Sequence, residues 1–168
     1  LSMNNDSKKY SVLHLICGLP GSGKTTLAKE ISTNHNAIRF CPDVWIKEIW
    51  DSENEGNNFR ENVEQLQWKI AKNILKTGID VIIEWGTWGK QERLKLRNEA
   101  WEIGSKVKFY YLKESKSTLK KRIISRNKNL GKHEFYMAEE NLDIELERCI
   151  KLFEIPGKNE LNSYDYLD

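Results

Sequence analysis

The sequence predicts an α/β protein, with a parallel sheet of about five strands and helices packed on both of its faces. Three observations carry that expectation. Short apolar runs alternate with amphipathic stretches along the 168 residues, the order that lays helices over a parallel sheet. The first apolar run, VLHLIC over 12–17, passes directly into a glycine-rich turn and then into a helical segment. No composition shift, internal repeat or low-complexity linker divides the chain, so residues 11–168 read as one domain behind a polar, disordered lead over 1–10.

The elements follow in order. Residues 12–17 end at Gly18, as a buried strand feeding a tight turn does. KTTLAKEIST (24–33) sets Leu27, Ala28 and Ile31 at helical spacing. AIRF (37–40) is a second strand, and PDVWIKEIW (42–50) begins a helix with Pro42 and Asp43 at its start. A long amphipathic helix is expected over about 59–77, with Val63, Leu66, Ile70, Ile74 and Leu75 on one face and Gly78 ending it. DVIIEW (80–85) reads as a third strand, QERLKLRNEAWEIG (91–104) as a helix closed by Gly104, and VKFYYL (107–112) as a fourth strand. Helices near 115–127 and 137–153 come next, and NSYDYLD at the end reads as a short edge strand or a frayed tail.

Composition narrows the function. Hydrophobic residues make up 39% and charged residues 31%, as in ordinary globular proteins. The 27 basic and 25 acidic residues nearly cancel, which argues against a dedicated nucleic-acid binder while leaving room for a local basic patch. Cys17, Cys41 and Cys149 lie far apart with no metal-ligand spacing, so reduced thiols and a cytoplasmic location are expected. No apolar segment approaches the roughly 18 residues a membrane span needs, and the start has no apolar signal-peptide core.

GLPGSGKTT, residues 18–26, carries the chemistry. Gly18 and Gly23-Lys24-Thr25 stand at phosphate-loop spacing between an expected strand and an expected helix, the context this pattern needs. Glycines at 18, 21 and 23 let successive N–H groups turn inward with no Cβ in the way. The positive end of the following helix adds to the same field. Gly18, Leu19, Pro20, Gly21, Ser22, Gly23, Lys24, Thr25 and Thr26 are therefore the candidate nucleotide cradle. Lys24 would place a point charge on the outer phosphates, and the Thr25 hydroxyl would ligate Mg²⁺.

Other residues decide the reaction. Asp43 follows the second strand, on the sheet edge where open α/β folds bind ligands; an N-terminal helix cap is the competing reading. Glu84 ends the third strand where a carboxylate can hold Mg²⁺, and also reads as a strand-end residue facing water. Trp85 and Trp88, flanked by glycines, can wall an acceptor pocket or pack in the core. Arg93 and Arg97 share a helix face that turns to the phosphates or to solvent. Arg122 and Arg126 project from one side of the 115–127 helix, and His133 reads as a plain loop residue.

These blocks resemble a known family. ICGLPGSGKTTLAKEI followed by CPDVWIKEIW resembles the small P-loop kinases that include the kinase domain of phage polynucleotide kinase, zeta toxins, chloramphenicol phosphotransferase and gluconate kinase. VIIEWGTWGKQERLKLRNEAWEIG, LKKRIISRN and FEIPGKNE are similar to the AAA_33-type bacterial ATP-binding proteins and predicted kinases, so the likeness spans roughly 12–160. It implies the three-layer P-loop NTPase fold of the nucleoside-kinase type, with sheet order 2-3-1-4-5. It also implies ATP with Mg²⁺, Asp43 as the base beside an acceptor hydroxyl, and catalytic Arg126 and Arg122 in a lid at about 115–134. The family more often has Asp where Glu84 stands, so Glu84 is open between metal, acceptor and base roles.

The expected activity is transfer of the γ-phosphate of Mg·ATP to a small-molecule hydroxyl, with Asp43, Glu84, Trp85, Trp88 and Arg93 on the acceptor side. A polynucleotide 5′-hydroxyl kinase, or an ATPase or switch without a separate acceptor, is the alternative. Nucleic acid is admitted but not favoured, no membrane partner is expected, and the chain is expected as a monomer or homodimer.

Overall fold

Strand β1 (Val12–Gly18) is buried along its whole length and lies at the centre of the sheet. Its apolar run has neighbours on both sides, and helices on both faces exclude water from it. The computed structural model describes residues 10–50 and 53–168; the lead expected over 1–10 lies, except for Tyr10, outside the described residues.

After β1 come α1 (Lys24–His35), β2 (Ile38–Phe40), α2 (Pro42–Ile49), a short α3 (Glu53–Asn58) and α4 (Arg60–Leu75). Then follow β3 (Val81–Gly86), α5 (Lys90–Glu102), β4 (Lys106–Leu112) and α6 (Lys116–Asn127). A 3-10 turn (Glu139–Asn141), α7 (Leu142–Leu152), α8 (Lys158–Leu161) and β5 (Tyr166–Leu167) complete the chain. Among the described residues, five strands run parallel in the order β2-β3-β1-β4-β5, as expected. The C-terminal segment is thus an edge strand, pairing Lys108 with Tyr166 and Phe109 with Leu167.

Period-two alternation along β1 splits the core into two layers. Leu13, Leu15 and Cys17 face a cluster with Phe40, Trp68, Ala71, Leu96 and Phe109. Ile16 faces the other way, onto Ala28, Ile31 and Ile82. A third cluster, Leu119, Ile123, Leu142 and Leu146, joins α6 to α7, and Leu19 of the glycine-rich loop packs against it.

Two expectations shift. The buried stripe of α4 is Val63, Gln67, Trp68, Ala71 and Leu75, and Leu66 points to solvent. Gln67 can be buried because its Oε1 accepts the Trp85 Nε1–H at 2.9 Å, a tertiary partner that hydropathy spacing does not register. The helix expected over 137–153 begins as the 3-10 turn and becomes α-helical only at Leu142. The three cysteines are buried free thiols, and burial pushes Cys17 and Cys41 up to about 11. Among the described residues, no helix is long and apolar enough to cross a membrane.

Candidate active site

Because every strand runs the same way, the loops after β1, β2 and β3 open on one edge, where a cavity of about 940 Å³ forms. The glycine-rich loop is its floor. Gly23 sits at φ 99° as the N-cap of α1, and that helix has neither a side-chain cap nor an acidic residue in its first turn. Its leading N–H groups are left for an anion. Lys24 Nζ donates to the Leu19 carbonyl at 2.9 Å, folded over its own loop. Burial lowers the Lys24 pKa, while the carboxylates of Glu84 and Asp43 pull it upward. Lys24, Thr25 and Thr26 line the cavity with Pro20, Gly21 and Gly23. Leu19 turns its side chain away, into the α6–α7 cluster, and contributes its carbonyl to the loop.

Thr25 and Glu84 meet. The Thr25 hydroxyl donates to Glu84 Oε1 at 2.5 Å, and Arg39 Nε donates to Oε2. Glu84 is buried in the second half of β3, beside β1, where the β1–β3 register shifts between Leu15 and Cys17. A hydroxyl and a carboxylate converging next to a phosphate loop are the oxygen ligands Mg²⁺ favours. Arg39 has no sequence signature for this contact, because a lone arginine on a short strand carries no spacing signal.

After β2, Cys41 caps α2 in extended geometry, Pro42 opens the helix, and Asp43 stands in its first turn. Arg60, at the start of α4, donates to Asp43 Oδ1 and lies 3.9 Å from Glu64. Asp43, Arg60 and Glu64 all line the cavity. Trp85 and Trp88 form a wall, Trp85 tethered to Gln67 and Trp88 donating from Nε1 to the Gly18 carbonyl at 3.2 Å. Glu92 lines the same region. Burial, reinforced by the Glu92 charge, raises the Glu64 pKa to about 7, and burial raises Glu92 as well.

The arginine helix closes the third side. Ser115 caps α6 by accepting from the Thr118 N–H at 3.2 Å. Burying Leu119 and Ile123 against α7 turns Arg122 and Arg126 toward the loop and the cavity. Arg122 Nη1 donates to the Ser22 carbonyl at 3.3 Å, and Nη2 pairs with Glu114 at 2.9 Å. Arg126 Nη2 donates to the Phe135 carbonyl at 3.1 Å. The segment after α6 folds against α2: Lys47 Nζ donates to the Glu134 carbonyl at 2.5 Å, and His133 Nε2 lies 2.6 Å from Glu48 Oε1. Ser22 Oγ and Arg126 Nε are buried polar atoms with no hydrogen-bond partner among the described residues. Uncapped N–H groups, an unpartnered guanidinium N–H and a desolvated lysine around one space fit a phosphate group.

Arg93 is corrected. Expected beside the acceptor, it is fully buried behind the Trp wall, where its guanidinium clamps Glu160 at 2.6 Å. Glu160 lies 67 residues away, and helical spacing names a face without saying what covers it. Arg97 also points elsewhere, bonding Ser163 and stacking over Trp101 at 4.4 Å. The other acceptor-side and catalytic candidates line the cavity: Asp43, Lys24, Arg122, Arg126, Glu84, Trp85 and Trp88.

Several solved structures share this architecture. A candidate kinase from Chloroflexus aurantiacus aligns with a TM-score of 0.67 at 19% identity, covering 85% of this chain and 79% of that one. Chaetomium thermophilum Kti12 in complex with ADP-AlF3 aligns at 0.64 and 15% identity, over 93% of this chain and 88% of its own. A gluconokinase from Sinorhizobium meliloti 1021 aligns at 0.58 and 17% identity, over 94% and 81%. At such identities the likeness is one of fold. No curated protein matches the sequence. Residues 13–151 match AAA_33, described as an AAA domain, and the chain belongs to that family, with the fold of the small P-loop kinases.

Proposed function

We propose that this chain is a phosphotransferase that moves the γ-phosphoryl group of Mg·ATP to a hydroxyl of a small-molecule acceptor. One observation carries the reading: the phosphate cradle, Arg122, Arg126, Asp43 and the two tryptophans, Trp85 and Trp88, line a single cavity. A hydrolase needs room for water only, whereas this space suits a bound acceptor.

In this reading residues 18–26 hold the triphosphate through backbone N–H groups, and Lys24, Arg122 and Arg126 spread positive charge around the transferring group. Thr25 and Glu84 would hold Mg²⁺, which supplies charge neutralisation at the phosphates. Asp43 orients the acceptor hydroxyl and takes its proton. Glu84 is less suited to that task, because Thr25 and Arg39 occupy its two oxygens, while Arg60 engages only Oδ1 of Asp43. Arg60 fixes the Asp43 carboxylate, so the base is positioned before an acceptor arrives.

A polynucleotide 5′-hydroxyl acceptor is the second reading. A Pnkp1/Rnl/Hen1 RNA repair complex contains a chain aligned at a TM-score of 0.62 and 23% identity, covering 91% of this chain and 49% of that one. Against it, two of the lysines that could line a nucleic-acid channel are paired, Lys120 with Asp143 and Lys132 with Glu48.

ADP release from Mg·ATP, measured alone and with nucleosides, sugars, aminoglycosides or 5′-hydroxyl oligonucleotides, tests both. The expected outcome is a rise with a small hydroxylated acceptor that drops by about 10²–10⁴ in Asp43→Asn. A rise only with oligonucleotides selects the second reading. Turnover independent of acceptor and untouched by Asp43→Asn overturns the phosphotransferase assignment.

A further inference from the structure

Away from the cavity, three metal-ligating side chains converge at the opposite end of the sheet. His14 lies in β1, His35 is the last residue of α1, and Asp80 immediately precedes β3. One ligand atom from each lies within 4.8 Å of the other two. His14 and Asp80 are buried, and His35 is exposed at the helix end. We propose that His14, His35 and Asp80 form a binding site for a divalent transition-metal ion, with zinc the best match.

The two buried groups are in direct but long contact, a spacing that one shared cation also fits. His14 Nε2 and Asp80 Oδ2 are 3.4 Å apart. A charge-assisted N–H···O bond would close to about 2.7–2.9 Å. Two ligands bonded at about 2.0–2.2 Å to one tetrahedral ion stand roughly 3.3–3.5 Å apart. The observed distance matches that edge.

Neighbouring groups aim both buried ligands. Tyr110 Oη lies 2.9 Å from His14 Nδ1, so a proton on Nδ1 can be donated to the phenol, turning the Nε2 lone pair toward Asp80. The Val12 N–H donates to Asp80 Oδ1 at 2.7 Å, which presents Oδ2 to the ring. The His35 ring stands 5.0 Å from that of His14, centroid to centroid, with its ligand atom within 4.8 Å of the other two. Two imidazoles and one carboxylate, with a fourth position open to solvent, suit Zn²⁺ and its neighbours better than Mg²⁺ or Ca²⁺, which favour all-oxygen sets.

The location gives the site its effect. His14 is four residues from Gly18, about 13 Å along the strand, so the ion would not touch the phosphates. It would fasten the last residue of α1 to β1 and to the start of β3. That helix begins at Lys24, so the ion would pin the far end of the element that carries the cradle.

Calorimetric titration of the chelator-stripped chain with Zn²⁺, in excess Mg²⁺, tests this, with Co²⁺ absorption as a coordination signature. Expected is one ion per chain, a tetrahedral Co²⁺ spectrum and a higher unfolding midpoint. His35→Ala, a change at an exposed residue that leaves the core intact, should weaken binding at least a hundredfold and abolish the midpoint shift. Tyr110→Phe should weaken it about 10–100-fold. His133→Ala, at the histidine beside Glu48, should leave it unchanged. No stoichiometric binding would overturn the site in favour of a plain His14–Asp80 pair. Binding that survives His35→Ala, or is lost equally in His133→Ala, would also overturn it.

Discussion

Each of the five N–H donors of the Arg93 guanidinium reaches an acceptor. Nε and Nη2 bond the two Glu160 oxygens at 2.6 and 3.0 Å, Nη1 bonds the Thr87 and Trp88 carbonyls at 3.0 and 2.9 Å, and Nη2 also bonds the Glu154 carbonyl at 2.8 Å. A charge this buried is tolerated only when so completely satisfied, and removing one partner strands the other. Arg93→Ala should therefore cost about 3–5 kcal/mol in chemical denaturation; a loss below about 1 kcal/mol would mean the clamp holds nothing. Arg93 also holds the carbonyls that place the Trp88 wall, so it serves the cavity without lining it. Glu64 makes a second, opposite case. Its carboxyl is raised from 4.5 to about 7, chiefly by burial. The native state thus binds its proton more tightly than the unfolded chain does, and this group's contribution to stability falls as pH rises from 4.5 to about 7. Glu64→Gln should flatten that part of the pH–stability curve, read from denaturation midpoints; an unchanged slope would show that Glu64 titrates as an ordinary surface acid. Neither role was legible beforehand, because Glu160 and Glu92 reach these residues only through the tertiary fold.

Segments whose partners are local were readable, and those defined by distant contacts were not. The alternation of strand and helix, the cradle and the order of elements follow from short-range periodicity and glycine placement. The face of α4 depended on Trp85 finding Gln67, and the arginine helix depended on what would cover Leu119 and Ile123. That docking is tight where α6 crosses the phosphate loop. Gly21 sits at φ 78°, and a Cβ there would lie 3.0 Å from Ile123 Cγ1 and 3.1 Å from the Leu119 carbonyl. Ile123 can shift slightly, but the carbonyl belongs to the helix backbone and moves only with α6. Gly21→Ala adds the left-handed penalty of about 1–2 kcal/mol to that displacement. It should lower the unfolding midpoint and weaken nucleotide binding together, since the loop and Arg122 are disturbed at once. A variant that loses stability but binds nucleotide normally would uncouple α6 from the cradle.

The cavity is assembled from parts that the chain order separates: the loop at 18–26, Asp43 and Arg60, the end of β3, and the arginine helix with the segment through 137. Only the parallel sheet, by sending its loops to one edge, brings them together. Nucleotide binding should then be linked to the stability of the assembled protein, because an unfolded chain offers no such convergence of donors. A non-hydrolysable Mg·ATP analogue at a hundred times its dissociation constant should add about 2.7 kcal/mol to unfolding. Lys24→Ala should abolish most of that gain, and hydrogen exchange should show added protection in two separate stretches, the cradle and the segment spanning Arg122 to Met137. Protection of the cradle alone would mean that Arg122 and Arg126 do not close on the phosphates, leaving their charge stabilisation without a basis. Equal stabilisation of wild type and Lys24→Ala would place the nucleotide outside the loop altogether. Joint protection, lost in Lys24→Ala, is the outcome expected if one ligand fastens both halves of the cavity, because a triphosphate offers anionic oxygens to the loop and to the arginines at once.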